Sequence, residues 1–358
     1  MPFNLDNTIS QLQHGRIMVV GDVAIDEMTY GGTARLSREA PVLILNHHHT
    51  DILLGAAGNA AHNIAKLGAK RTVLIAVTGQ DYHCSLLHEA MERDGVDTVG
   101  LIADPDRPTT TKTRISGMVN QSITQQIVRI DRESREPLPS ALENKLLDQM
   151  TRIAKDGCDA ILLSDYALGV VSESVIDHCR ALAKQHQLFW VVDSQQDLGL
   201  FAGADVVTPN LPEAEQTVGF EIQTQEALLQ AGEWILNKSK VKNALITRSS
   251  DGMMLFESVS AETSAMQYTD IPVFNRSDVF DVTGAGDTVV GSLTLALATG
   301  ASLLEAAVLG NVAASIVVRR FGAATTTPAE IRQTLSELPE ALMQQITTHQ
   351  LISSPQVS

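Results

Sequence analysis

The sequence predicts an α/β fold on a mostly parallel central sheet, and three observations carry the prediction. Short β-branched apolar runs, of which Arg16-Ile17-Met18-Val19-Val20 is the first, have the near-continuous hydrophobicity of strands buried on both faces. These runs alternate with helical segments, as in successive β-α-β units. Several of them stop at polar groups, Asp22, Asp193 and Thr208 among them, as strands do at the carboxyl edge where open α/β sheets bind ligands.

Taken in order, the strand 16–20 ends at Gly21-Asp22, with Asp26 just beyond. From Met28 to Thr50 the pattern changes to short extended pieces, 27–30 and 42–49, joined by Gly31-Gly32 and a loop closed by Pro41. His47-His48-His49 has no third metal ligand on its face, so a solvated strand edge is expected there. Gly55 to Gly68 places small residues before a helix that ends at a glycine, with Asn59 at the helix start facing the sheet edge. Then come a strand at 72–77, a helix at 82–93 and a strand at 98–102.

Residues 104–131 form a second polar, strand-like excursion. Two excursions too short to fold alone are expected to pair into one small sheet, a lid. Lys112, Arg114 and Arg129 concentrate positive charge there, which suits a phosphorylated substrate, although exposed strand cations would read the same. Strands at 160–163, 188–192 and 206–207 lead to Asp165, Asp193 and Asn210 with Glu213. A strand, turn and strand follow across 244–256, and an apolar helix at 303–318 contains Asn311.

The stretch that organises the rest is Asp281-Val282-Thr283-Gly284-Ala285-Gly286-Asp287-Thr288, just before the apolar run 289–297. Three small residues offer almost no apolar area, so their place is a tight turn into a helix N-terminus. Unpaired N–H groups and the helix dipole there stabilise an anion. Asp287 would repel a phosphate unless it serves as a general base toward a hydroxyl. On the motif alone it could equally cap the helix.

Composition bounds the partners. With 26 Lys and Arg against 42 Asp and Glu the formal charge is -16, which argues against nucleic acid or an anionic membrane as a partner. Three scattered cysteines make neither a disulfide framework nor a metal site, as in a cytoplasmic protein. No export signal or apolar span of about eighteen residues is read, and a short polar tail closes the chain at 353–358.

Asp-Val-Thr-Gly-Ala-Gly-Asp-Thr resembles the C-terminal signature of the ribokinase/PfkB family of ATP-dependent sugar kinases, and Gly55-Ala56-Ala57-Gly58-Asn59 resembles its N-terminal one. The resemblance runs from about residue 16 to 328. It implies a ribokinase-like three-layer α/β/α sandwich with a central, mostly parallel sheet and a small β-sheet lid, lying in a single domain spanning 1–358. The lid would come from two insertions, about 27–50 and 107–131. Asp287 becomes the catalytic base, and the amides of Gly284, Ala285, Gly286 and Asp287 the anion hole. Asp26 and Asn59 would bind the sugar. Asn210, Thr247, Gly252, Asp281, Asn311 and Gly322 would lie along the nucleotide, with Glu213 organising Mg²⁺ through water. ATP and Mg²⁺ are the implied cofactors, with a monovalent cation as a further candidate, and a homodimer through the lid is the implied assembly. No P-loop sequence occurs.

Within the family, Arg35-Leu36-Ser37-Arg38-Glu39-Ala40-Pro41-Val42 and Leu163-Ser164-Asp165-Tyr166-Ala167 resemble the kinase domains of ADP-heptose synthesis. These act on the anomeric hydroxyl of D-glycero-D-manno-heptose 7-phosphate. Their nucleotidyltransferase domain finds no room in this length, so a standalone kinase is expected. Departures are Leu168 and Gln195, where those kinases tend to carry lysine, Ala56 in place of a glycine, Ser292 in place of Ala or Gly, and a long 116–124 segment. Arg35, Lys112, Arg114 and Arg129 are left to meet a substrate phosphate. Another sugar or a nucleoside is the alternative acceptor, and a non-catalytic sensor the alternative class.

Overall fold

The structure, a computed structural model, describes residues 4–119, 122–258, 266–274, 279 and 281–351. The polar tail and residues 120 and 121 of the long segment lie outside these. The strands are β1 (Arg16–Gly21), β2 (Val23–Leu36), β3 (Leu43–Ala56), β4 (Arg71–Gly79), β5 (Leu101–Asp104), β6 (Thr111–Val119), β7 (Ser122–Arg132), β8 (Ala160–Asp165), β9 (Phe189–Ser194), β10 (Val206–Val207), β11 (Asn243–Thr247), β12 (Met253–Ser258), β13 (Met266–Ile271) and β14 (Thr347–Leu351). The helices are α1 (Leu5–Gln11), α2 (Ala57–Lys66), α3 (Tyr82–Asp94), α4 (Ser140–Gly157), α5 (Glu173–His186), α6 (Leu211–Val218), α7 (Gln225–Ser239), α8 (Ala285–Ala298), α9 (Leu303–Val317), α10 (Pro328–Glu337) and α11 (Glu340–Met343). Among the described residues, no helix is long and apolar enough to cross a membrane.

The large sheet runs β14-β13-β12-β11-β10-β9-β8-β1-β4-β5. Every pairing from β5 through β11 is parallel, while β11 to β14 pair antiparallel. The two-residue period of a strand divides the core. Ile17, Val19 and Leu162 face α2, α8 and α9, whereas Met18, Val20 and Leu163 face α4, α5 and α7. Helices thus cover both faces, and the α/β/α sandwich of the sequence reading is what forms.

The small sheet has the order β3-β2-β6-β7, with β2 and β6 parallel and its outer pairs antiparallel. Its strands are longer than the expected excursions, and Gly31-Gly32 is not a joint. Both glycines lie inside β2, paired with β3 on one side and β6 on the other, and a bulge at Tyr30/Gly31 absorbs the irregularity. His49 stacks on Tyr30 at 4.7 Å, and no metal-holding group of three occurs among the described residues. Residues 98–100 form a 3₁₀ turn capped by Asp97, so β5 starts later than expected.

β3 delivers the chain to α2 through Ala56, whose backbone stands at φ 54° and ψ −135°, a region that suits glycine. The methyl group that replaces the family's glycine is therefore strained at the helix cap. Ala56→Gly is expected to stabilise the protein by about 1 kcal/mol in denaturant unfolding, since relief of strain exceeds the entropy gained by the unfolded chain.

Candidate active site

Strand ends and a helix start converge on one cleft of about 190 Å³. Asp165 and Tyr166 follow from β8, Asp193, Ser194 and Gln195 from β9, Thr208 and Asn210 from β10, and Thr247 from β11. The N-terminus of α8 stands opposite, with Gly284, Gly286 and Asp287.

Asp287 lies in the first turn of α8 and is 6% exposed. Its Oδ2 accepts from Asn59 Nδ2 at 2.7 Å and its Oδ1 from the Tyr166 hydroxyl at 2.8 Å. Burial pushes its pKa up to about 6, against the pull of those two donors, and Asp26 adds to the rise while Lys112 opposes it. Such a carboxylate is ionised at neutral pH and basic enough to receive a proton.

Asn59 is held in turn. Thr288 Oγ1 donates to Asn63 Oδ1 at 2.9 Å, and Asn63 Nδ2 donates to Asn59 Oδ1 at 3.2 Å. Gly284 completes the arrangement for two reasons: its φ is 76°, and a Cβ there would stand 2.4 Å from Asn59 Nδ2. Of the four amides assigned to the anion hole, that of Ala285 is spent on the Val282 carbonyl at 3.2 Å. Those of Gly284, Gly286 and Asp287 have no protein partner among the described residues, and a Cβ on Gly286 would meet nothing within 4 Å.

The cleft is lined by the carboxylates of Asp165, Asp193, Glu213 and Asp287, with no Lys or Arg. Burial raises Asp193 to about 7, helped by the charges of Asp287 and Glu213, although Thr208 Oγ1 donates to it at 2.8 Å. Burial also raises Glu213, against its bonds from Asn210. Glu213 and Asn210 form a capping box on α6, and both also line the cleft. A polyphosphate would be repelled here unless a cation came with it, and an all-oxygen donor set suits Mg²⁺.

On the small-sheet side, Asp26 Oδ1 is paired with Arg114 at 2.6 Å, both largely buried. Lys112 lies 5.6 Å over the Tyr166 ring and has no carboxylate partner among the described residues. Arg129 is paired with Asp131 at 2.7 Å. Arg35 is exposed at the far end of β2, roughly 30 Å along the strand from Asp26.

The remaining nucleotide candidates are not in the cleft lining. Gly252 closes the turn before β12 at φ 84°. Asn311 is buried and donates to the Pro272 carbonyl at 2.7 Å, tying α9 to the loop after β13. Asp281 accepts from the amides of Thr283 and Gly322, both at 2.9 Å, and these bonds outweigh burial to hold its pKa below the usual range.

The family model for pfkB carbohydrate kinases matches residues 15–330. The chain belongs to this family. Membership makes it an ATP-dependent sugar kinase. The bifunctional protein HldE of Trichlorobacter lovleyi is 42% identical over 317 residues, covering 88% of this chain and 62% of the relative. That of Pelobacter propionicus is 39% identical, covering 92% and 64%. The chain thus spans about three fifths of the length of these relatives. Among solved structures, Escherichia coli phosphofructokinase-2 in complex with potassium superposes with a TM-score of 0.69 at 18% identity, covering 90% of this chain and 99% of the other. Arabidopsis thaliana ribokinase complexed with ribose and ATP gives 0.67 at 20%, with the same coverage. At such identities these two speak for the fold alone.

Tyr166, Asp165, Asp193 and Thr208 line the cleft, although the sequence reading gave none of them a role in the site. The signal available was their position at strand ends.

Two outcomes are expected. Gly284→Ala should push Asn59 away from Asp287 and lower turnover about 100-fold, measured by ADP release. Asp193→Asn should raise the thermal midpoint by an amount that grows between pH 3.8 and about 7 and then levels off. A carboxyl whose folded pKa is raised binds its proton more tightly when folded, so stability falls as pH rises through that window. Melting curves from pH 4 to 8 read the difference.

Proposed function

We propose that this sugar kinase phosphorylates the anomeric hydroxyl of D-glycero-D-manno-heptose 7-phosphate, giving the 1,7-bisphosphate and ADP. The observation that carries the transfer chemistry is the buried Asp287 carboxylate beside open amides at the start of α8. Asp287 takes the proton of the sugar hydroxyl as its oxygen attacks the γ-phosphorus, and the bond from that phosphorus to the β,γ-bridging oxygen breaks. The N–H groups of Gly284, Gly286 and Asp287 meet the charge on the phosphoryl oxygens. Asn210, Asp193 and Glu213 would hold Mg²⁺, the last through water, and that ion supplies charge neutralisation on the phosphates.

Asp26, whose charge acts on Asp287, is paired with Arg114 on the small sheet, and we assign the two to the sugar hydroxyls. The identity of the curated relatives and the chemistry of Lys112, a lid cation with no carboxylate partner among the described residues, support a phosphorylated sugar. The pairing of Arg114 and Arg129 with acids favours the second reading, an unphosphorylated acceptor. We further propose that two copies pair through their small sheets, which expose Leu36, Leu43, Ile127, Val128 and Ile130, with Val42 exposed on the loop between β2 and β3. Light scattering on the purified protein tests the pairing, and a monomer would refute it. A monovalent-cation requirement, which the family resemblance implies, is read by replacing KCl with choline chloride.

Asp287→Asn is expected to lower turnover by several decades while ATP still raises the melting temperature. Near-normal turnover would remove Asp287 as the base. A panel of sugars and sugar phosphates, heptose 7-phosphate included, scored by ADP release, decides the acceptor.

A further inference from the structure

We propose that Tyr166 is a positioning residue of the phosphoryl transfer, holding the Asp287 carboxylate in its working orientation through the phenol hydroxyl. The proposal rests on the reading of Asp287 as the base. Asn59 on α2 holds one carboxylate oxygen at 2.7 Å, and Tyr166, on the loop after β8, holds the other at 2.8 Å. Two donors from separate elements set the plane of the carboxylate, which neither could do alone. A phenol has a single O–H, and here it is spent on this one acceptor.

The loop that presents Tyr166 is built for that placement. Asp22, buried at the end of β1, accepts three of its backbone N–H groups: Tyr166 at 2.9 Å, Leu168 at 3.1 Å and Val170 at 3.3 Å. Asp165 takes the Ala167 N–H at 2.9 Å. Ala167 is left at φ 56°, a left-handed conformation that a non-glycine residue keeps only where its surroundings over-determine it. A Cβ on Gly169 would stand 2.3 Å from the Glu136 carbonyl oxygen, so the loop also packs closely. Asp22 further accepts the Ala57 N–H at 2.9 Å through its own carbonyl, and β2 begins at the next residue. One buried aspartate therefore joins the root of the small sheet, the start of the helix carrying Asn59 and the loop carrying Tyr166.

The charged groups around the pair are Asp26 from β2, Lys112 from β6, Asp193 from β9 and Glu213 from α6. Lys112 stands over the Tyr166 ring and opposes the acids. Loss of the phenol hydroxyl removes a donor that favours ionised Asp287, so the base should become harder to ionise.

The test is Tyr166→Phe in the full chain, with kcat and KM measured from pH 5 to 9. Turnover at pH 7 should fall about ten-fold with KM for ATP changed less than about two-fold, and the acidic limb of kcat/KM should move up by about one pH unit. A folded variant with wild-type kcat and an unmoved limb overturns the proposal. If the phenylalanine variant loses stability, 3-fluorotyrosine at position 166 keeps the O–H and strengthens it as a donor. The limb should then move to lower pH, and an unmoved limb counts against the proposal. Asp287→Asn assayed alongside separates the two readings. If it is inactive beside a normal Tyr166→Phe, only the role of Tyr166 falls, whereas if it is active, the base assignment falls first.

Discussion

A carboxylate buried at the start of a helix is the constraint on which this structure turns. Asp287 is nearly inaccessible, so ionising it is costly, and the cost is partly offset by two hydrogen bonds and the open N–H groups at the start of α8. Each of the two hydrogen bonds depends on a distant part of the chain. Asn59 arrives with α2, oriented through Asn63 and Thr288, and Tyr166 arrives with a loop anchored on Asp22. The large sheet has to be assembled, β1 beside β8, before these groups can meet.

The same place concentrates negative charge beyond what stability would favour. Asp193 and Asp287 are both pushed upward by burial and by their neighbours, and among the cleft-lining residues no cation relieves them. A fold that tolerates such a cluster is suited to a ligand that brings its own positive charge, as a magnesium-bound nucleotide does. Gln195, which lines the cleft where the resembling kinases tend to carry lysine, makes that dependence sharper. The remaining cations sit across the cleft, on the small sheet, and most are already engaged: Arg114 by Asp26 and Arg129 by Asp131.

The glycine-rich stretch around Asp287 and the strand ends were legible because their chemistry is local. Small residues before an apolar helical run, or a polar residue after a β-branched run, mean the same thing wherever they occur. The helices α4, α5 and α7 carry no such signal beyond an apolar face, although they close one side of the core. Asn311 and Gly252 were placed by resemblance; in the structure Asn311 donates to the Pro272 carbonyl, and a Cβ on Gly252 would stand 2.2 Å from the Ile271 carbonyl oxygen.

By itself, then, the sequence determined the α/β class, the sheet edge on which polar groups gather, and the helix start that bears Asp287, because each follows from periodicity or backbone chemistry within a few residues. Only the tertiary structure decided that Tyr166 reaches Asp287, that Arg114 neutralises Asp26, that Ala285 spends its amide on Val282, and that Gly31-Gly32 lies within a strand. These are pairings between segments far apart in the chain. Which of many available partners a donor takes is set by how the elements pack, and that is not written in the spacing of any one segment.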